Sequence, residues 1–151
     1  MKKFLVFALT AIMSVTAIGK TVDEVFNAFP EADNVQAMTL DKAMLAMARN
    51  AGGEQANQMK DIDEMRVIAI ENATAEQIKI AKDLVSEGVD GFDVMVDADE
   101  NGEQVLILTQ GDEKEIHKML IIAIEKEEVA VVLIKGKINP NDANKFMNLG
   151  K

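Results

Sequence analysis

The stretch FDVMVDADENGEQVLILTQG, residues 92–111, places two apolar runs on either side of an acidic segment that ends in Asn101-Gly102. An Asn-Gly pair is among the strongest signals for a two-residue type I′ turn, because both central residues of that turn take positive φ. The flanking runs, Phe92 to Asp97 and Gln104 to Thr109, are typical of strands. The stretch therefore predicts a β-hairpin whose turn fixes the register of its two strands.

The acidic segment DADENG, residues 97–102, also resembles the beginning of a calcium-binding loop. Such a loop places oxygen ligands at positions 1, 3 and 5, glycine at position 6 and a bidentate glutamate at position 12. Asp97, Asp99, Asn101 and Gly102 fit the first half, but position 12 is Leu108, inside an apolar run. We therefore assign the segment to the hairpin, and the sequence leaves open a weak calcium contact at Asp97, Asp99 and Asn101.

Two longer apolar runs follow the hairpin, Ile116 to Ile124 and Val129 to Ile138, and short polar turns join them. Together with the hairpin they predict a C-terminal four-stranded antiparallel meander. Two shorter strands, Val35 to Met38 and Met65 to Glu71, alternate with helices earlier in the chain. The expected fold class is α+β, a largely antiparallel sheet packed against three to four short helices.

Capping residues mark the starts of the helices. The predicted N-caps are Thr21, Thr39, Thr74 and Asn139, and the first and third of these open capping boxes with Glu24 and Gln77. Helical spacing predicts a buried stripe on the second helix, made of Leu40, Met44, Met47, Ala48 and Ala51. The polar, aperiodic residues from Glu54 to Asp63 predict a long loop. Met44, Met47, Met95 and Met119 are expected to fill the core.

Residues 1–19 have the pattern of a secretory signal peptide. Lys2 and Lys3 precede an apolar run that is shorter than the ~20 residues of a membrane span, and small residues end at Gly19. We expect cleavage there, no membrane span afterwards, and a single domain from residue 20 to residue 151. The protein is then exported, either periplasmic or extracellular, and without cysteine it folds on its core alone.

Composition excludes several classes of function. The net charge is −10 and the chain has two arginines, so nucleic acid is not an expected partner. Outside the leader there is one serine, Ser86, and one histidine, His117, without the context of a catalytic triad or a zinc site. The sequence therefore assigns no catalytic, cofactor-binding or metal-binding residue, and the protein is expected not to be an enzyme.

The last two apolar runs do not alternate apolar with polar residues, as a strand with one wet face would. Either helices cover both faces or the sheet bends over its own core, or else an apolar surface is left for a partner. The leading hypothesis is a non-enzymatic binding domain with a protein partner or homo-oligomer through these strands. The alternative is a carrier of a small lipid-like ligand between sheet and helices, and a carboxylate-based hydrolase ranks last.

The order of these parts resembles the DUF4252 family, small exported proteins mostly from Bacteroidetes. The resemblance is carried by MTLDKAMLAMARN (residues 38–50), IDEMRVIAIEN (62–72), FDVMVDADENGEQVLIL (92–108) and IHKMLIIAIEKEEVAVVLIKGKIN (116–139), and it covers most of residues 22–149. It implies an extracytoplasmic protein of the cell envelope with no assigned activity. The family has no defined site motif, so the resemblance assigns no functional residue.

Overall fold

The computed structural model describes residues 20–51, 61–112 and 114–139. Within these ranges the chain forms three helices and six strands. In chain order they are α1 (Val22–Asn27), β1 (Val35–Leu40), α2 (Lys42–Ala51), β2 (Ile62–Ile70), α3 (Ala75–Glu87), β3 (Asp93–Glu100), β4 (Glu103–Gly111), β5 (Ile116–Glu125) and β6 (Glu128–Ile138). None of the described helices has the length and apolar character needed to cross a membrane.

All six strands belong to one open sheet in the order β1-β2-β6-β5-β4-β3, and every neighbouring pair is antiparallel. The four C-terminal strands, β3 to β6, pair in chain order. On its other side β6 pairs with β2, and β1 pairs with the far side of β2. The strands β1 and β3 are therefore the two edges of the sheet. This is the α+β class that the sequence predicts.

The hairpin between β3 and β4 is confirmed. Asn101 and Gly102 both have positive φ, +55° and +83°, and Glu100 lies opposite Glu103 at the end of the ladder. Both strands are longer than predicted, because β3 continues past Asp97 to Glu100 and β4 runs from Glu103 to Gly111. The turn is thus two residues long, as the Asn-Gly pair requires.

One face of the sheet, here called the covered face, packs against α1 and α3. Its core joins buried side chains of these two helices to four strands, β2, β6, β5 and β4. The buried members are Val25, Phe26, Phe29, Ile68, Ile70, Ala81, Leu84, Val89, Leu106, Leu108, Leu120, Ile122, Ile124, Val129, Val131 and Leu133. Burial of this apolar set is the main favourable contribution to folding on this side.

The opposite face, here called the open face, has only α2 against it among the described helices. Leu45 of α2 is fully buried and joins a second, smaller cluster at one end of the sheet. The other buried members are Ile62, Ile107, Ile116, Met119, Ile134 and Ile138. The two apolar faces of β5 and β6 therefore meet different surroundings, since helices of the described chain cover one face and only part of the other.

Two helices begin as the capping signals predict. At α3 the Thr74 side chain accepts from the Gln77 backbone and the Gln77 side chain accepts from the Thr74 backbone, so the capping box is complete. At α1 the Thr21 hydroxyl accepts from the Glu24 backbone N–H at 3.2 Å. The Glu24 carboxylate accepts from that hydroxyl instead of from backbone, so this box is half formed.

The predicted start of the second helix is wrong by two residues. Thr39 and Leu40 belong to β1, and Asp41 caps the helix by accepting from the Met44 backbone N–H at 2.8 Å. The predicted stripe is also wrong, because α2 buries Leu45 and leaves Met44 and Met47 exposed. The face of α2 that meets the sheet is the one that carries Leu45, about 100° around the helix axis from Met44.

The remaining predictions are partly wrong or concern residues outside the described ranges. Of the four methionines expected in the core, only Met119 is fully buried, since Met95 is also exposed, at a bulge of β3. The predicted loop ends early, because Ile62 already begins β2 and is buried. The rest of that loop, the signal peptide and the last helix from Pro140 onward lie outside the described residues.

Candidate functional site

The strand register arranges the open face in rows that run across the sheet. The first row, at the end where the β3–β4 and β5–β6 hairpins turn, consists of exposed glutamates. Glu100 lies opposite Glu103 and Glu125 lies opposite Glu128, and the register of β4 with β5 brings Glu103 opposite Glu125. We call Glu100, Glu103, Glu125, Glu128 and Glu71, the residue directly after β2, the glutamate row.

The row next to it consists of small side chains. The register pairs Ala69 with Ala130, Ala130 with Ala123, Ala123 with Val105, and Val105 with Ala98. We call these five residues the alanine row. The first four are half-buried and Ala98 is exposed, and a methyl group stands little above the backbone, so the row forms a trough across five strands.

The third row is made of larger aliphatic side chains. Its members, in order across the sheet from β1 to β3, are Met38, Val67, Val132, Ile121, Ile107 and Val96. Most of them keep part of their surface exposed, and Met38 at the β1 edge is 52% exposed. This aliphatic row forms one wall of the trough and the glutamate row forms the other.

The fourth row lies under α2. It contains Leu40, Met65, Ile134 and Met119, which belong to the cluster around Leu45. Four residues separate Ala69 from Met65 along β2, which at ~3.4 Å per residue is about 14 Å. That distance exceeds the ~10 Å diameter of a helix, so among the described elements there is room for a second helix on the alanine row beside α2.

The trough is also long enough for a helix. Neighbouring strands are ~4.8 Å apart, so the alanine row spans about 19 Å from β2 to β3. At 1.5 Å per residue this length corresponds to about 13 helical residues. The site therefore offers an apolar floor, an aliphatic wall on one side and a line of carboxylates on the other.

The residues weighed as calcium ligands lie apart from this trough. Asp97 and Asp99 pair with Leu106 and Gln104, which places them on the covered-face side of β3. The carboxylate of Asp99 accepts from the side chain of Gln104 at 3.2 Å. Among the described residues no group of three or more acidic, histidine or cysteine side chains converges as metal ligands would.

The two residues considered for hydrolysis occupy ordinary positions. Ser86 lies in the last turn of α3, where its hydroxyl donates to the carbonyl oxygen of Lys82 at 3.0 Å. His117 is exposed near the start of β5, next to the bulge that separates Ile116 from Lys118. Within the described ranges, Ser86 and His117 lie on different elements, α3 and β5, and the hydroxyl of Ser86 is engaged by a helix carbonyl.

Near His117, the loop between β4 and β5 is organised by Asp112. The carboxylate accepts from the backbone N–H groups of Glu115 and Lys114, both at 2.8 Å. These two bonds, first that of Glu115, hold the pKa of Asp112 below its usual value, and the charge of His117 acts in the same direction. This carboxylate therefore shapes a turn.

The covered face carries a separate depression of about 290 Å³ beside α1. Its lining includes four ionisable side chains, Asp23, Asp90, Lys118 and Lys135. Behind it, Arg66 of β2 donates to Asp23 at 3.1 Å and lies 4.3 Å from the centroid of the Phe26 ring. A depression with this polar lining does not suit an acyl chain.

Sequence reasoning missed the trough and the glutamate row. The sequence places residues 125–128 in a short polar turn between the last two strands, and Glu100 in the acidic segment of the first hairpin. The missing signal was the pairing of β2 with β6, which aligns Ala69 and Glu71 with the C-terminal strands. The sequence itself shows only part of this pattern, which is that each of two hairpins has an acidic residue just before and just after its turn.

A family model described as "Domain of unknown function (DUF4252)" matches residues 26–146 of the chain. That match covers α1 from its buried Phe26 and every strand of the sheet. A comparison with curated protein sequences gave no match.

Proposed function

Since the chain belongs to the DUF4252 family, whose description assigns no activity, we propose a function from the open face itself. The protein is an exported, non-enzymatic binding domain, and the trough on the open face takes an amphipathic helix of a protein partner. The observation that carries the proposal is the alignment of the alanine row with the glutamate row across the same five strands.

The apolar floor of the trough supports a protein partner. Ala69, Ala130 and Ala123 are flanked by the β-branched side chains of Val132 and Ile121, and all five are half-buried in the described chain. A contiguous apolar patch rimmed by charge is typical of a binding surface. Helix-in-groove recognition uses such a floor, because apolar residues at i, i+3, i+4 and i+7 form one contact stripe.

The glutamate row specifies the charge of the partner. Its side chains are spaced at the interstrand distance of about 5 Å, so they present a line of negative charge along one wall. A helix with lysine or arginine along one flank of its apolar stripe would meet this line, and complementary charge favours both correct partners and fast association. The partner is therefore a basic amphipathic helix.

Binding without catalysis is supported by how the described chain uses its few reactive side chains. The Ser86 hydroxyl is engaged by a helix carbonyl, and Asp112 is engaged by two backbone N–H groups. The signal-peptide pattern of residues 1–19 supports export. Without Lys2 and Lys3 of the leader, the exported domain carries a net charge of −12, which keeps it from associating with itself nonspecifically.

The test uses protein purified after export in a bacterial host and two synthetic helical peptides of about 14 residues, the length that the trough accommodates. Both carry the same leucine and alanine stripe, one flanked by lysines and the other by glutamates. We expect the lysine peptide to bind in the micromolar range by fluorescence anisotropy, more weakly at high salt, and the glutamate peptide not to bind.

A variant in the trough and a matched control localise the binding. Ala123→Lys places a long cation on the floor and should weaken the lysine peptide at least about tenfold. Ala32→Lys, the same substitution at an exposed turn residue, should leave binding unchanged. Equal binding of both peptides, or equal binding by both variants, would overturn the proposal.

Two further measurements separate the alternatives. Native mass spectrometry of the exported protein should show the mass of the polypeptide alone, beginning at Lys20. A retained lipid-sized mass would favour the carrier and overturn the helix-binding proposal. If the protein is found only in the cytoplasm and its mass still includes residues 1–19, the proposal that it is exported is overturned.

A further inference from the structure

The two edges of the sheet differ in charge. The edge strand β3 carries four acidic residues in its eight positions, Asp93, Asp97, Asp99 and Glu100. The other edge, β1, reads VQAMTL and carries no charge in six positions. Charged side chains and bulges are the usual protection of a sheet edge, and β3 has both, with a bulge between Val94 and Val96. The strand β1 lacks both.

The backbone of β1 also offers unpaired groups on its outer side. The Glu71 N–H donates to the carbonyl of Asn34, which makes these two residues a hydrogen-bonded pair of the β1–β2 ladder. Hydrogen-bonded pairs alternate in an antiparallel ladder, so Gln36, Met38 and Leu40 bond to β2. Ala37 and Thr39 therefore point their N–H and C=O groups away from the sheet, where none of the described strands pairs with them.

On β3 the same reasoning places charge at the outward positions. Glu100 and Glu103 close a two-residue hairpin, so they form a hydrogen-bonded pair. The alternation then turns the backbone groups of Asp97 and Asp99 outward, and both residues carry carboxylates. A second strand approaching this edge meets negative charge at both outward positions.

We propose that β1 pairs with β1 of a second copy of this chain, antiparallel and about a twofold axis at Met38. Ala37 then lies opposite Thr39 of the second copy, and Thr39 opposite its Ala37, so four backbone hydrogen bonds join two sheets into one of twelve strands. Because β3 is blocked, the assembly closes as a dimer and does not extend into a fibre.

Charge selects this register over its neighbour. In the proposed register Asp41 lies opposite Val35 of the second copy, and no two acidic residues face each other. Shifting the axis to Ala37 brings Asp33 opposite Asp41 of the second copy, twice in the dimer, and directly opposed like charges are destabilising. The axis at Met38 also brings together two side chains that are each 52% exposed in one chain.

This interface does not depend on the proposed function, since the alanine row spans β2 to β3 and the dimer forms at β1; Met38, the residue at the β1 end of the aliphatic row, is the one residue that both involve. It also differs from the apolar strands β5 and β6, which the sequence favoured for oligomer formation. Met44 and Met47 of α2, the helix that packs against β1 and β2, are also exposed.

Cysteine cross-linking tests the register, because the chain contains no cysteine of its own. At Met38 the two copies form a pair without backbone hydrogen bonds, whose Cα atoms are ~4.5 Å apart, within the range of a disulfide. We expect Met38→Cys to oxidise to a covalent dimer. Ala98→Cys, exposed on the opposite edge, should remain monomeric on a denaturing gel.

A proline variant tests the backbone bonds. Thr39→Pro removes an outward N–H and leaves the bonds to β2, so sedimentation should show at least about tenfold weaker dimerisation with an unchanged circular dichroism spectrum. Asp97→Pro makes the equivalent change on β3 and should leave dimerisation unchanged. A monomeric wild-type protein at millimolar concentration, or equal cross-linking at residues 38 and 98, would overturn the proposal.

Discussion

Asn34 and Gln77 exchange two hydrogen bonds between their side-chain amides. Asn34 Nδ2 donates to Gln77 Oε1 at 2.7 Å, and Gln77 Nε2 donates to Asn34 Oδ1 at 3.1 Å. Gln77 Oε1 also accepts from the Thr74 backbone N–H at 2.9 Å and so completes the capping box of α3. One buried amide therefore fixes both the start of a helix and the residue before the edge strand β1.

The first prediction is that Gln77→Ala lowers the free energy of unfolding by about 2 kcal/mol. It removes a cap and leaves the Asn34 amide partly buried without its main partner. Chemical denaturation measures the loss. Adding Asn34→Ala should cost less than the sum of the two single changes, with a coupling of about 1 kcal/mol. Glu76→Gln, an exposed neighbour in the same turn, is the control; additive losses would contradict the shared bonds.

The second prediction concerns the bulge where β2 begins. Gly136 has a φ of +155°, and a Cβ there would lie 2.3 Å from the backbone oxygen of Asp61. Gly136→Ala should therefore cost more than Gly102→Ala, whose φ of +83° is strained but whose Cβ would meet no atom within 4 Å. We expect about 1 kcal/mol for Gly102→Ala and at least about 2 kcal/mol more for Gly136→Ala, by urea denaturation. Equal losses of stability in the two variants would mean that β2 and β6 move apart around the new Cβ without destabilising the protein, and would contradict the prediction.

The third prediction addresses the hairpin that the sequence identified. Asn101 has a φ of +55°, a conformation that asparagine tolerates and alanine does not. Asn101→Ala should lower stability by about 1 kcal/mol, whereas Asn101→Gly should change it by only a few tenths. Added calcium should shift the melting temperature no more than magnesium does. A shift with calcium alone would show that Asp97, Asp99 and Asn101 hold the ion.

These cases show what the sequence could and could not predict. The Asn-Gly turn and the Thr74 capping box are local, because the chemistry of two to four adjacent residues selects the backbone conformation. The α+β class follows from the order of the segments. The predicted start of α2 was wrong because Thr39 and Asp41 are both suitable N-cap residues. Thr39 of β1 pairs with Arg66 of β2, and this pairing leaves Asp41 as the cap. That pairing is nonlocal.

The candidate site was invisible for the same reason. The sequence shows that β5 and β6 lack alternation, but which face is covered depends on where α1, α2 and α3 pack. The alanine and glutamate rows need three strand registers together with the return of β2 to β6. Each register is set by contacts between residues far apart in the chain, so no local pattern contains it.

The fourth prediction is a pH dependence in the β4–β5 loop. Backbone N–H groups lower the pKa of Asp112 in the folded protein, so its contribution to stability is present above the ordinary aspartate pKa and is lost as pH falls through the lowered value. Asp112→Ala should therefore destabilise the protein at neutral pH, and the difference should shrink in acid. Asp112→Asn keeps an acceptor without the titration, so this variant should not itself lose stability as pH falls through the lowered pKa, and its difference from the wild-type protein should also shrink in acid. Urea midpoints across acidic pH measure both.

The fifth prediction joins stability to the proposed function. Neighbouring carboxylates of the glutamate row repel one another, so Glu125→Gln should raise the free energy of unfolding by up to about 0.5 kcal/mol at low salt. At 1 M salt the Debye length is ~3 Å and the gain should disappear. Glu31→Gln, an exposed glutamate outside the row, should have no effect in either condition.

The same variant should weaken the lysine peptide, because it removes a charge from the wall of the trough. Stability and binding then change in opposite directions, which is expected where charges serve recognition at a cost to the fold. A stability gain that persists at high salt would mean that side-chain packing, not charge, distinguishes Glu125. Unchanged peptide binding would show that the glutamate row does not contribute to binding, and that the alanine floor is the whole site.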